Sequence, residues 1–189
     1  MKPPSNFRRF CISPTNTLHF ARDPVYTFIA SDTHVTLSDD SYDDAQLVVD
    51  GATLTLEGHH VFTSLLLTNG AVLTHSTAVT GVAFTVTGDL VVSSDSRIDV
   101  RGLGYSGGSA GNNISNGDGP GFGWAQWYAG GGGSHGGVGG KSSDGAAGEP
   151  VCGSEICPVE PGSGGGGTHQ SGPGMPGGGT VWIRADGDI

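Results

Sequence analysis

Four carboxylates crowd into SDDSYDDA (38–45): Asp39, Asp40, Asp43 and Asp44. Clustered hard oxygen ligands are what Ca²⁺ takes, so this segment is a candidate calcium site. Its spacing is not that of an EF-hand loop, which needs D-x-[DN]-x-[DN]-G. A solvated acidic turn ahead of strand structure is the simpler expectation. A second candidate is GFGWAQWYAGG, which brings Trp124, Trp127 and Tyr128 within five residues. Exposed rings of this kind stack on sugar faces; buried, they anchor a glycine-rich segment while keeping a polar handle wet. The third candidate is VCGSEICP. Cys152 and Cys157 there fit neither a redox C-x-x-C nor half of a zinc site. A local disulfide in an oxidising compartment, or two free thiols, is expected. Cys11 has no assigned partner.

Other motifs lack the elements their chemistry requires. Gly102-Leu103-Gly104-Tyr105-Ser106-Gly107 matches G-x-G-x-x-G, but no helical pattern follows to offer its N-terminus to phosphate. Gly132-Gly133-Ser134-His135-Gly136 and Gly107-Gly108-Ser109-Ala110-Gly111 match G-x-S-x-G, without the strand and helix of a nucleophile elbow. His59 and His60 are adjacent, so on a strand they face opposite ways. His75 ends an apolar run and reads as a corner side chain. Asp50, Asp95, Asp99 and Arg101 could serve polysaccharide cleavage only if one face gathered them. Asp50 and Asp95 fall in turns, and Asp99 alternates with Ile98 and Val100. No catalytic, cofactor or metal residue is assigned, and an enzyme is not expected.

Charge narrows the partners. The 189 residues carry a formal charge of −10 and only 14% charged side chains. That field repels phosphate backbones, so nucleic acid is not expected. No stretch approaches the ~18 apolar residues of a membrane span. The N-terminus has Lys2, Arg8 and Arg9 with no apolar run behind them, unlike a secretory signal. The expectation is that Met1 is not the natural start and that more polypeptide continues the chain.

The elements that would position these residues change character at Gly102. Residues 25–101 hold 5 of the 36 glycines and many β-branched residues. Three runs there resemble one another: AQLVVDGATLTLEG, SLLLTNGAVLTHST and GDLVVSSDSRIDVRG. Their turns are Asp50-Gly51, Asn69-Gly70 and Ser94-Asp95, spaced by 19 and then 25 residues. A repeat of short strands at this spacing predicts an all-β parallel β-helix, or β-solenoid, with stacked coils burying Leu54, Leu56, Leu73, Ile98 and Val100. The alternative is an antiparallel sandwich or meander, because Asp-Gly and Asn-Gly favour two-residue hairpins.

Residues 102–179 hold 30 of the glycines. At 130, 133, 136, 139, 142, 145 and 148 all but Ser142 are Gly; at 162, 165, 168, 171, 174 and 177 four of six are. A period of three is that of the polyproline II helix, whose glycine face lets neighbouring backbones approach. A packed insert of short extended segments is expected. The domain plan is therefore an irregular segment over 1–24, coils over 25–101, the insert over 102–179 and the start of a further, truncated coil over 180–189.

The order NGAVLTHS, VTGDLVVSSDSRIDVRGLGY, GGGGSHGGVGG, GSGGGG and GGGTVWI resembles a glycine-rich module of large bacterial surface and secreted proteins, over about residues 45–189. The resemblance implies a β-rich extracellular or cell-surface location and carries no catalytic residues. The resulting expectation is a non-enzymatic structural or adhesive module touching surface glycans or other extracellular protein. The alternatives are a phage receptor-binding tip and a fragment of a β-helix polysaccharide lyase or hydrolase.

Overall fold

The structure, a computed structural model, describes residues 26–76, 81–143, 145, 147–154, 156 and 159–189. The expected irregular segment over 1–24 lies outside them. Among the described residues the regular elements are mostly strands with almost no helix, and the chain divides into two compact units. The first comprises the chain up to Thr74, Phe84–Asp99 and Ile183–Ile189; the second comprises His75–Ala83 and Val100–Trp182.

The strands are short. They are β1 Tyr26–Ile29, β2 His34–Leu37, β3 Gln46–Asp50, β4 Thr53–Leu56, β5 His59–Phe62, β6 Ser64–Thr68, β7 Val72–Thr74, β8 Val82–Val86, β9 Leu90–Val92, β10 Arg97–Ile98 and β11 Val181–Ala185. Consecutive strands go to different sheets. One sheet has the order β1-β3-β6-β9, the second β10-β7-β4-β2 and the third β11-β8-β5. Each pair whose register is described is parallel. The antiparallel alternative is thereby overturned.

The reason lies in the turns. Asn69 and Gly70 have φ of 56° and 80°, and Gly51 has φ of 65°. Left-handed residues of this kind close hairpins, but they turn a chain out of one sheet into another equally well. The Asn69 side-chain amide donates to the Asp50 carboxylate, so one turn braces the next. A Cβ on Gly51 would meet Ser31 Cβ at 3.1 Å and Asn69 O at 3.3 Å, which reserves that corner for glycine.

Parallel pairing puts like beside like. Leu47, Leu65 and Leu90 align on one rung, and Val49, Leu67 and Val92 on another. In the second sheet Val35, Leu54, Leu73 and Ile98 align, as do Leu37 and Leu56. Leu47, Val49, Leu54, Leu56, Leu65, Leu67 and Leu73 are buried. Each such side chain contributes about 1.5–3 kcal/mol on burial. Ile98 and Val100, expected in the core, are only half-buried. β10 is the edge strand of its sheet, so among the described residues no further strand of that sheet continues the rung beyond Ile98.

The glycine-rich unit has few strands and a different order. The segment 162–168 sits among other extended segments, and its hydrogen bonds recur every third residue. Gly162, Gly165 and Thr168 donate their N–H to Gly178, Met175 and Gly172, at 2.8–2.9 Å. The carbonyls of the same three residues accept from Tyr105, Gly108 and Gly111. Gly164 and Gly167 donate to Asp118 and Ser115 and accept from Gly123 and Gln126. Thus 105–111 and 123–126 run alongside 162–168 in the same direction, while 115–118 and 172–178 run back.

Glycine makes this approach sterically feasible. A Cβ on Gly164, Gly166 or Gly167 would overlap the carbonyls of Ser106, Trp124 and Ser109 respectively. These buried N–H and C=O groups are paired, as backbone polar groups away from water must be.

Candidate functional site

Three chain reversals of the glycine-rich unit meet at one end: residues 111–115, 127–130 and 169–172. They are joined by hydrogen bonds. His169 N–H donates to Trp127 O (3.2 Å), Gly111 N–H to Thr168 O (3.1 Å) and Ser171 Oγ to Tyr128 O (2.9 Å). Thr168 Oγ1 accepts from Ser171 N–H at 2.8 Å and donates to Gly172 O at 3.0 Å, closing its own turn.

On this frame the His169 imidazole lies flat on the Trp127 indole. The ring centroids are 3.8 Å apart and the planes differ by 7°. His169 Nε2 lies 2.9 Å from Asn112 Oδ1, an acceptor, so Nε2 is the donor. Nδ1 is buried and has no hydrogen-bond partner among the described residues. Trp124 meets Phe122 edge-on, with centroids 5.2 Å apart. Exposures of 45%, 49% and 58% for Trp124, Trp127 and Tyr128 make these rings neither buried anchors nor isolated surface groups. His169 was not apparent as a site residue from sequence. A usable signal existed: Thr168 and Ser171 are the two breaks in the local glycine period, and they form the turn that carries it.

The acidic segment is arranged differently. Asp39 caps a single 3₁₀ turn, Asp40–Tyr42, by accepting from Ser41 N–H at 3.1 Å and Ser41 Oγ at 2.5 Å. The Ser41 hydroxyl, and then its N–H, hold the Asp39 carboxyl below the usual carboxylate range. Asp43 accepts from Val61 N–H at 3.2 Å and sits 3.3 Å from His60 Nδ1. Asp44 donates its N–H to Val61 O. Among the described residues no three of His, Cys, Asp and Glu gather as a group that could hold a metal ion.

His59 and His60 do take opposite faces. His60 is buried against Phe62, with centroids 6.0 Å apart, while exposed His59 reaches Thr85 Oγ1 at 3.2 Å. His75 is 2% exposed; its Nδ1 lies 2.7 Å from Ser76 O and its Nε2 has no partner among the described residues. Cys152 is a free cysteine whose Sγ donates to Ser134 O at 3.3 Å. Its expected disulfide partner, Cys157, lies outside the described residues, as does Cys11.

Neither glycine motif acquires its helix. Among the described residues the helical elements are two 3₁₀ turns, Asp40–Tyr42 and Gly111–Asn113. Ser134 is fully buried, its N–H bound to Gly121 O and its Oγ accepting from Gly139 N–H at 3.0 Å. Asp99 pairs with Arg97 at 3.3 Å. A cleft of about 370 Å³ lies among His135, Glu160, Gly162 and residues 178–181. Among the described residues no helix is long and apolar enough to cross a membrane. Comparison with protein-family models, with curated proteins and with solved structures found no match.

Proposed function

We propose that the chain is a non-enzymatic structural and adhesive module of a bacterial extracellular or cell-surface protein. In this reading the three sheets are walls of a β-solenoid that serves as a stiff spacer. The glycine segments are polyproline-II helices packed side by side, and their aromatic end meets surface glycans through Trp124, Trp127 and Tyr128. The observation that carries this reading is the joining of three reversals into one end that holds the Trp127 and Tyr128 rings about half exposed, with Trp124 exposed on the adjoining 123–126 segment. Keeping large rings at the surface costs solvation that a ligand recovers on binding.

The test is a glycan array probed with the purified full chain. Retention on a defined subset of glycans is expected, and a blank array overturns the adhesive role. A second reading, a phage receptor-binding tip, is favoured by loops gathered at one end of a glycine-rich bundle. It predicts binding to intact bacterial cells that competes with phage adsorption.

A further inference from the structure

We infer that the uncovered face of Trp127 is the floor of a subsite for an uncharged pyranose, with His169 as the residue that positions the indole. The inference rests on the adhesive reading above and gives it a ligand class. His169 stacks on one face of the indole at 3.8 Å and Trp127 as a residue is still 49% exposed, so the ligand face of this proposal is the one opposite His169. A rigidly held, flat, electron-rich face suits the axial C–H bonds of a pyranose, whose hydrogens carry slight positive charge.

The reversals joined to that of Trp127 carry uncharged hydrogen-bonding groups. Asn112, Asn113 and Gln170 are exposed on the reversals that meet Trp127. Amides both donate and accept, which matches sugar hydroxyls. Charge selects against acidic sugars. Across 103–134 and 161–179 the one residue with a formal charge is Asp118, and no Lys or Arg occurs. A sialic acid, uronate or sulfate would lose hydration there without gaining a cation. His169 is fastened by its Nε2 bond to Asn112, so the indole cannot tilt freely.

The experiment measures binding of the full chain to neutral and acidic glycans on one array, with solution titration of the hits. Neutral hexose or N-acetylhexosamine glycans are expected to bind. Trp127→Ala should weaken them about tenfold or more, as truncating a central aromatic anchor does, while Trp127→Phe should keep most of the affinity. His169→Ala should weaken binding and His169→Phe, which restores a flat backing ring, should recover it. Amide exchange over 104–118 establishes that each variant retains the bundle. Hits confined to acidic glycans, or neutral binding indifferent to Trp127→Ala, overturn this subsite and leave adhesion standing. No glycan binding at all, including the case where the chain captures only peptides, overturns both.

Discussion

The two units solve the same problem from opposite directions. Around Leu54, Leu65 and Leu67 the chain hides apolar side chains and stacks strands so that aliphatic residues meet aliphatic residues. Around Gly164 and Gly167 it has almost no side chain to hide and packs backbone against backbone, with a hydrogen-bond pattern that repeats every third residue. Stability in the first comes from removing apolar area from water. In the second it comes from satisfied main-chain hydrogen bonds at distances that only glycine allows, offset by the conformational entropy glycine loses on ordering. A methyl group is therefore a benefit in one unit and an obstruction in the other.

That contrast can be broken by substitution. The largest effect is expected for Leu67→Ala, which leaves a cavity on a fully buried rung and should cost about 2–5 kcal/mol in denaturant unfolding. Next is the opposite change, Gly164→Ala. The added Cβ would overlap the Ser106 carbonyl, and a cost of about 3 kcal/mol is expected for overpacking against rigid backbone. Amide exchange should place the lost protection in 104–108 and 162–168, leaving that of β3 and β6 unchanged. If Gly164→Ala were neutral, the backbone-packing account of this unit would fail.

A control sharpens the point. Gly137 has nothing within 4 Å of an added Cβ and no left-handed φ. Gly137→Ala should stabilise by about 0.4–1 kcal/mol through the unfolded chain. The smallest effect concerns Asp95. Its carboxyl is held below the usual carboxylate range, first by the Ser93 hydroxyl, which donates to it at 2.6 Å. Because the folded value is the lower one, the bond's contribution is complete above the ordinary aspartate range. It is lost as pH falls through the depressed value. In a carboxyl-carbon NMR titration, Ser93→Ala should move the Asp95 midpoint upward.

Much of the strand-rich unit was legible because local chemistry and long-range pairing agree there. The spacings of 19 and 25 residues reappear as the register of the second sheet, where Thr53 pairs with Val72 and Val72 with Arg97. Asn69-Gly70 is a turn as expected, while Asp50 closes β3 and the chain bends at Gly51 directly after it. What their dipeptides could not express is the direction taken next, since positive φ serves a corner as readily as a hairpin. In the glycine-rich unit the period of three was visible, but its partners were not. Nothing in 162–168 indicates that it is bordered by 105–111, 123–126 and 172–178, because glycines carry no side chain to encode a match. The stack of His169 on Trp127 was hidden for the same reason: the two residues are brought together by main-chain register across 42 positions.

A register that repeats every third residue makes length a quantised property of this bundle. Removing or adding one residue within 162–168 would point each donor at the wrong neighbour for the rest of the segment, whereas a change of three would restore the match. The reversals beyond Gly111, Trp127 and His169 lie outside that counting. The fold thus separates a region where indels are forbidden except in triplets from one whose length is not counted in threes, and the proposed glycan surface falls in the second.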